Sequence, residues 1–225
     1  TDEAQAYFDK LNIPLTPEQK NFWVAQYREL GGDVYQEYPA TPEEAFTASK
    51  DGTYYSRLFN EQVVRKGGLV SKLYDPNLPV DVYVDLGVDD YTVLLFVQWY
   101  RGEWRVIDEY WNNGYALVHY LDYMVDEPYD IRAVRFPHDV KARELGNSGQ
   151  GGIAKSRYDT VVEYKLEHSL QWRLDVLPRS SIENGIEAVR RIIPKMRVDT
   201  KCVYIIDCLL NYSKEWDDKL ACWKK

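Results

Sequence analysis

A chain of 225 residues, 45% of them hydrophobic, with 19 tyrosines and 7 tryptophans and no low-complexity stretch, holds enough apolar material for one large domain or a domain with a flanking piece. That composition excludes long disorder. A net charge of −8 counts against DNA binding through general basicity, although a metal site needs clustered carboxylates.

Residues 1–50 read as helical and tail-like. Thr16-Pro17-Glu18-Gln19 combines a cap, a proline at the first helical position and an acid, and predicts a helix to about Leu30 with Gly31-Gly32 as its stop. Thr41-Pro42-Glu43-Glu44 starts a second, short helix, and 53–66 is a third, ending at Gly67-Gly68. The pattern then changes. Val80 to Leu86 alternates as a strand, followed by strands at Thr92 to Tyr100 and Trp104 to Trp111, with Arg101-Gly102-Glu103 as a hairpin turn. Residues 115–127 are predicted helical and Ile131 to Phe136 a fourth strand. Residues 158–169 are helical, Trp172 to Leu177 a fifth strand, and Ser181 to Lys195 a helix capped by Ser180 or Ser181. Cys202 to Ile206 is a short apolar run leading into a helix that reaches about Trp216. Three strands in meander, then two helix-linked strands, make an α/β mixed sheet (three antiparallel strands plus parallel strands) flanked by helices. RNase H-like nucleases have this order, and ferredoxin-like and other mixed sheets overlap with it.

No run of about 18 apolar residues stands in the sequence, so no membrane span is predicted. Cys202, Cys208 and Cys222 are an odd number without paired spacing, which fits a reducing compartment. His119, His138 and His168 are far apart and no Cys-x-x-Cys occurs, so zinc is not expected. Thr1-Asp2-Glu3 begins no signal peptide. It is not a natural start either, and the chain reads as an excised piece of something longer.

Two aspartates carry the candidate chemistry. In Val82-Tyr83-Val84-Asp85 the valines face one side and Tyr83 and Asp85 the other. An isolated charge at a strand end is costly, and a divalent cation would offset that cost. Gly87 lets the chain turn and leaves room beside the carboxylate. Asp139 follows the fourth strand after Pro137-His138. If that strand pairs beside the first, Asp85 and Asp139 meet at one sheet end and suit Mg²⁺ or Mn²⁺ in a two-metal site for phosphodiester cleavage. Each alone also reads as a turn former or cap. Asp89 and Asp90 lie close behind Asp85: Asp89 reads as a solvated turn, and Asp90, just before the second strand, is a candidate to orient a ligand or a bound water. His138 contacts a phosphate or simply packs at its turn. Asp108 and Glu109 are rejected as ligands, because the third strand is expected at the sheet edge. The loop Gly146–Gly152, with Lys155, Ser156 and Arg157 after it, reads equally as a DNA-facing hairpin, with Lys155 and Arg157 as contacts, and as an ordinary solvated loop.

The segment Glu37-Tyr38-Pro39-Ala40-Thr41-Pro42-Glu43-Glu44-Ala45-Phe46 resembles the EYPxTPEEAF-type sequence of tailed-bacteriophage terminase large subunits, where the packaging ATPase domain hands over to the nuclease domain. Asp85-Leu86-Gly87 through Asp90-Tyr91-Thr92 looks like that family's first catalytic strand. Pro137-His138-Asp139 with Ser156-Arg157 looks like its second block, and Tyr212 to Asp217 like its late helix. The resemblance implies an RNase H-like nuclease domain at 67–225, preceded by a helical linker at 1–66 from the ATPase domain. It implies a Mg²⁺- or Mn²⁺-dependent endonuclease that cuts concatemeric double-stranded viral DNA with little sequence preference in the host cytoplasm. The implied partners are the ATPase domain, the small terminase subunit and the portal protein. The family's third metal-binding Asp, in an SHxxDAxRY-like motif, has no counterpart before Trp223-Lys224-Lys225. Asp217 and Asp218 stand too early to replace it, so no third ligand is named.

Two other readings compete. Gly149 to Ser156 nearly fits the phosphate-cradling GxxxxGK[ST] loop, and Val203-Tyr204-Ile205-Ile206-Asp207 imitates the apolar strand and Asp that hold Mg²⁺ in an ATPase. The loop does not follow a strand directly, however, and too little chain remains after Asp207 to finish a nucleotide-binding sheet. A non-catalytic docking or structural domain on the same fold is the alternative that the missing third carboxylate favours. A resolvase or transposase would share the chemistry.

Overall fold

The alternation expected around Asp85 is present in the structure. Val80, Val82 and Val84 are buried in the core, while Asp81, Tyr83 and Asp85 take the opposite face. The computed structural model describes residues 16–30, 38, 53–87, 90–148, 154–213, 216–217 and 222–223. The chain divides into a larger unit, Gln62–Asp207, and a smaller one made of Thr1–Glu61 and Cys208–Lys225.

In chain order, the described strands of the larger unit are β1 (Leu69–Val70), β2 (Val80–Asp85), β3 (Thr92–Tyr100), β4 (Glu103–Asn112), β5 (Ile131–Phe136), β6 (Arg143–Ser148), β7 (Ala154–Ser156), β8 (Arg173–Val176) and β9 (Met196–Asp199). Strands β6 and β7 form a separate hairpin. The other seven make one sheet in the order β1-β9-β4-β3-β2-β5-β8. Strand β3 is reversed, pairing antiparallel with β2 and β4, whereas the β2/β5, β5/β8, β4/β9 and β1/β9 pairings are parallel. Six strands therefore end at the same side, the place where α/β sheets carry their ligand sites. This is the mixed, helix-flanked RNase H-like sheet that the sequence predicts.

Local chemistry explains the elements. Strands β3 and β4 are joined by Arg101-Gly102, with φ of 50° and 86°. Two left-handed residues match the twist of a tight hairpin, and glycine takes one of them without strain. Helix α3 (Leu117–Asp126) and helix α4 (Arg157–Glu167) pack together, and Tyr120, Leu121 and Met124 of the first and Val161 and Tyr164 of the second share a core with Val82, Val84, Leu94, Phe96, Val134 and Phe136. Burying each large apolar side chain of this kind stabilises by roughly 1.5–3 kcal/mol. Ser156 begins α4 with a reciprocal capping box: its Oγ accepts from the Asp159 amide (3.2 Å) and its own amide donates to Asp159 Oδ2 (2.9 Å). The buried Gln98 amide fixes the approach to β2. Its Nε2 donates to the carbonyls of Asp75 and Leu78 (2.8 Å each) and its Oε1 accepts from the Asp75 amide (3.0 Å).

In the smaller unit, α1 (Pro17–Leu30) has the predicted bounds. Thr16 Oγ1 accepts from the Gln19 amide (3.3 Å), and Gln19 Oε1 accepts from the Thr16 amide (2.9 Å). A short helix, α2 (Ser56–Phe59), continues as a π-helical turn over Asn60–Val64, so the helix expected over 53–66 is shorter and partly widened. Thr53 bridges Ser213, Tyr54 and Tyr55 pack on Tyr212, and β10 (Trp216–Asp217) pairs with β11 (Cys222–Trp223). The helix expected from Thr41 and the Glu37–Phe46 segment, apart from Tyr38, lie outside the described residues.

Several expectations are corrected. Met196–Asp199 and Leu69–Val70, not foreseen as strands, extend the sheet beyond β4. Strand β4 therefore lies inside the sheet rather than at its edge. Helix α5 (Ile182–Ile192), capped by Ser181, gives way to a 3-10 turn before Lys195. The apolar run after Cys202 is itself part of the expected helix, α6 (Val203–Asn211), which stops short of Trp216. With Asp207 on a helix and Lys155-Ser156 in a hairpin and helix cap, the ATPase pattern loses its strand. The Gly146–Gly152 loop is strand β6 as far as Ser148. Among the described residues, no helix is long and apolar enough to cross a membrane.

Candidate active site

Strands β2 and β5 lie side by side and parallel, with Val82 opposite Val134 and Tyr83 opposite Arg135. Carried forward at this offset, Asp85, the last residue of β2, stands level with Pro137. Pro137 leads into a 3-10 turn, His138–Lys141, in which Val140 is fully buried and His138 and Asp139 are exposed. The Ala142 amide closes the turn onto the Asp139 carbonyl (2.8 Å). Burial of Val140 thus anchors the turn and holds Asp139 outward, at the end of the sheet where Asp85 emerges.

The two carboxylates repel each other. Asp85 is solvent-exposed, yet enough protein surrounds it that desolvation raises its pKa, and the negative charge of Asp139 raises it further. Among the described residues, neither side chain has a hydrogen bond or an ion pair with a basic group. The contrast on the same strand face is Asp81. It accepts from Arg132 Nε (2.9 Å) and Nη2 (2.7 Å), and Arg135 Nη1 stands 2.7 Å from its Oδ2. Burial pushes the Asp81 carboxyl up, but the two guanidinium groups outweigh it and hold the group below the ordinary range. Both arginines reach one carboxylate because the β2/β5 register shifts between Val80 and Asp81, adding a residue to β5.

The remaining candidates separate. Asp90 is exposed and follows residues 88–89, which lie outside the described residues. Its carbonyl packs on Gly87, where a Cβ would stand 2.5 Å from the Asp90 oxygen and 2.6 Å from the Tyr91 oxygen. Gly87 is therefore needed for close backbone approach across the β2–β3 turn. Lys155, at the end of the β6–β7 hairpin, is ion-paired with Glu163, and Arg157 is the first residue of α4. Helix α4 packs beside the 138–141 turn, with Lys141 Nζ 5.3 Å from the centre of the Tyr158 ring, so this basic segment flanks Asp139. Asp108 and Glu109 have other work. Asp108 accepts from Tyr129 (2.6 Å) and pairs with Lys201 (2.7 Å), while Glu109 accepts from the Tyr204 and Ile205 amides (2.6 and 2.8 Å) at the start of α6. Among the described residues, no group of three or more His, Cys, Asp or Glu gathers as a metal cluster. Asp217 lies in β10, and Asp218 is outside the described residues. The sequence reading missed Lys141, the Asp81 arginines and the aromatic residues beside Asp85. Sequence alternation alone does not reveal the arginines or Trp111, because two register shifts decide their faces, and Lys141 stands in a turn set by the burial of Val140.

No family model matches this chain, and no curated protein matches it in sequence. Solved structures do match. The large terminase of a thermophilic bacteriophage superimposes with a TM-score of 0.52 at 15% identity, over 95% of this chain and 49% of that one. The ADP complex of the same terminase gives 0.51 at 14% identity, over 86% and 46%. The chain shares its fold with part of this large terminase. It spans about half the length of that terminase chain. A looser likeness is to the large terminase nuclease of the thermophilic phage G20c with bound magnesium, at a TM-score of 0.47 and 14% identity over 76% of this chain and 85% of that one.

Proposed function

We propose that this chain is a metal-dependent DNA endonuclease of a viral genome-packaging motor, cutting concatemeric double-stranded DNA with little sequence preference. The observation that carries the reading is the pair Asp85 and Asp139. Two carboxylates approach at adjoining parallel strand ends, like charge facing like charge, with no basic side chain between them among the described residues. Such anionic oxygen donors fit a hard divalent cation, Mg²⁺ or Mn²⁺. When bound, such ions would lower the pKa of a water and stabilise the leaving oxygen of a phosphodiester. Asp85 and Asp139 would hold the metal, and Asp90 and His138 would orient groups around them. Lys155 and Arg157, beside the Asp139 turn, would contact DNA phosphates. Residues 1–66 would be the helical linker from an ATPase domain, with 67–225 the nuclease domain. The small terminase subunit and portal protein would be further partners in the host cytoplasm.

The test is nicking of supercoiled plasmid with Mn²⁺ or Mg²⁺, alongside calorimetric Mn²⁺ binding. Wild type should nick and bind, and Asp85→Asn and Asp139→Asn should lose both. A second reading is a non-catalytic docking domain on the same fold. It is favoured by the lack of a three-carboxylate group among the described residues. A wild-type chain that fails to nick with every divalent ion would establish that reading.

A further inference from the structure

Asp85 shares a row with an exposed aromatic group. Asp85 is paired with Val93, and Val93 with Trp111, across three neighbouring strands. Directly paired residues turn their side chains to one face. Two strand spacings of about 4.8 Å put Trp111 roughly 10 Å from Asp85. The Trp111 indole lies on the Tyr204 ring (4.9 Å, 23°) and meets the Tyr91 ring edge-on (5.2 Å, 81°). Trp111 and Tyr91 nevertheless remain 40% and 44% exposed.

We propose that Trp111, held by Tyr91 and Tyr204, is a stacking platform for an unpaired nucleobase of the DNA strand engaged at Asp85 and Asp139. The inference rests on the nuclease reading and names a contact that the reading leaves open. Three observations favour a base as the occupant. The separation of roughly 10 Å is about three nucleotide rises of about 3.4 Å, so a strand whose phosphate lies at the carboxylates brings a nearby base over the indole. The chain carries a net charge of −8, so general phosphate attraction is weak, whereas stacking on an aromatic face needs no charge. The platform is also anchored at its base. Glu109, the acid two residues before Trp111, is spent on the Tyr204 and Ile205 amides, which fixes the ring beneath the indole.

The experiment uses the 225-residue chain with Ca²⁺ as the cation at the carboxylates and a fluorescein-labelled oligothymidylate, read by anisotropy, with an abasic oligonucleotide of equal length as the comparison. Trp111→Leu, which keeps an apolar side chain but has no π face, should weaken oligothymidylate binding about tenfold and leave abasic binding unchanged. Trp111→Phe should restore most of the affinity. The inference is overturned if Trp111→Leu binds oligothymidylate as wild type does, if both oligonucleotides weaken together, or if wild type binds oligothymidylate no better than the abasic strand. Plasmid nicking separates the two readings. Nicking with Trp111-independent binding refutes the platform alone, and Trp111-dependent stacking in a chain that never nicks refutes the nuclease alone.

Discussion

Gly87→Ala is the sharpest test of how the fold holds Asp85. A Cβ at this position would stand 2.5 Å from the Asp90 carbonyl oxygen and 2.6 Å from that of Tyr91, where ordinary contact begins at 3.4 Å. The shortfall is about 0.9 Å against two backbone atoms, which no side-chain rotation relieves. The β2–β3 turn must open, at about 1–3 kcal/mol. For a chain of this size that lowers the melting temperature by roughly 2–12 °C. Asp85 lies two residues before the clash and Tyr91 takes part in it, so a displacement approaching 1 Å should slow Mn²⁺-dependent nicking by about a hundredfold. Gly185→Ala is the matched control. Gly185 lies exposed in α5 with nothing within 4 Å of an added methyl, so alanine should stabilise the helix by about 1 kcal/mol and leave nicking unchanged. Thermal melting and plasmid nicking read both variants. A Gly87→Ala chain that melts and cuts as wild type does refutes the steric argument.

Asp81→Asn should destabilise by about 1–3 kcal/mol at pH 7, because it removes the charge-assisted bonds of the half-exposed Arg132 and leaves Arg135 only the more distant Asp175. The folded pKa of Asp81 is depressed, so its contribution is complete above the ordinary value of about 3.9 and is lost as pH falls through the folded value. Urea melts from pH 7 to pH 3 should show the gap between wild type and variant closing in acid, and a constant gap contradicts the assignment. At Asp85 the sign reverses. Its folded pKa is raised, so the ionised carboxylate costs stability above that pKa, and metal-free Asp85→Asn should melt higher than wild type at pH 7. Mn²⁺ at about a hundred times its dissociation constant should stabilise wild type by about 2.7 kcal/mol and leave Asp85→Asn nearly unmoved. Equal Mn²⁺ shifts in the two chains would remove Asp85 from the metal site.

The elements that local chemistry controls were legible in the sequence. Thr16-Pro17 set the start of α1, Arg101-Gly102 the β3–β4 hairpin, and the alternation from Val80 the face of Asp85. What was hidden depends on residues far apart in the chain. Met196–Asp199 is four residues long with a charge inside it, too short for a period, and is a strand because it pairs with Trp104–Val106. The apolar run from Val203 is helical because Glu109, 95 residues before Tyr204, accepts its first free amides. The Trp111 row was hidden by one bulge. From the hairpin tip, uninterrupted pairing would set Val93 opposite Tyr110. The shift between Phe96 and Val97 moves Trp111 there instead and turns Tyr110 to the core, where it stacks on Tyr123 at 3.8 Å.

The two acids of one strand face end in opposite electrical settings. The shift in β5 gives Asp81 two guanidinium partners and a depressed pKa, an ion cluster that is satisfied in the folded chain without any ligand. Four residues later, at the end of the same strand, Asp85 is offered only a second carboxylate. A carboxylate that served stability alone would be favoured with a basic neighbour, as Asp81 is, because unrelieved repulsion lowers the stability of the fold. The imbalance sits at the side where six parallel strands end, and the bulge in β4 turns an exposed indole to the same face. Negative charge that folding does not neutralise, on the same face as an aromatic surface that folding does not cover, is what the proposed uptake of a cation together with a nucleic-acid strand would need.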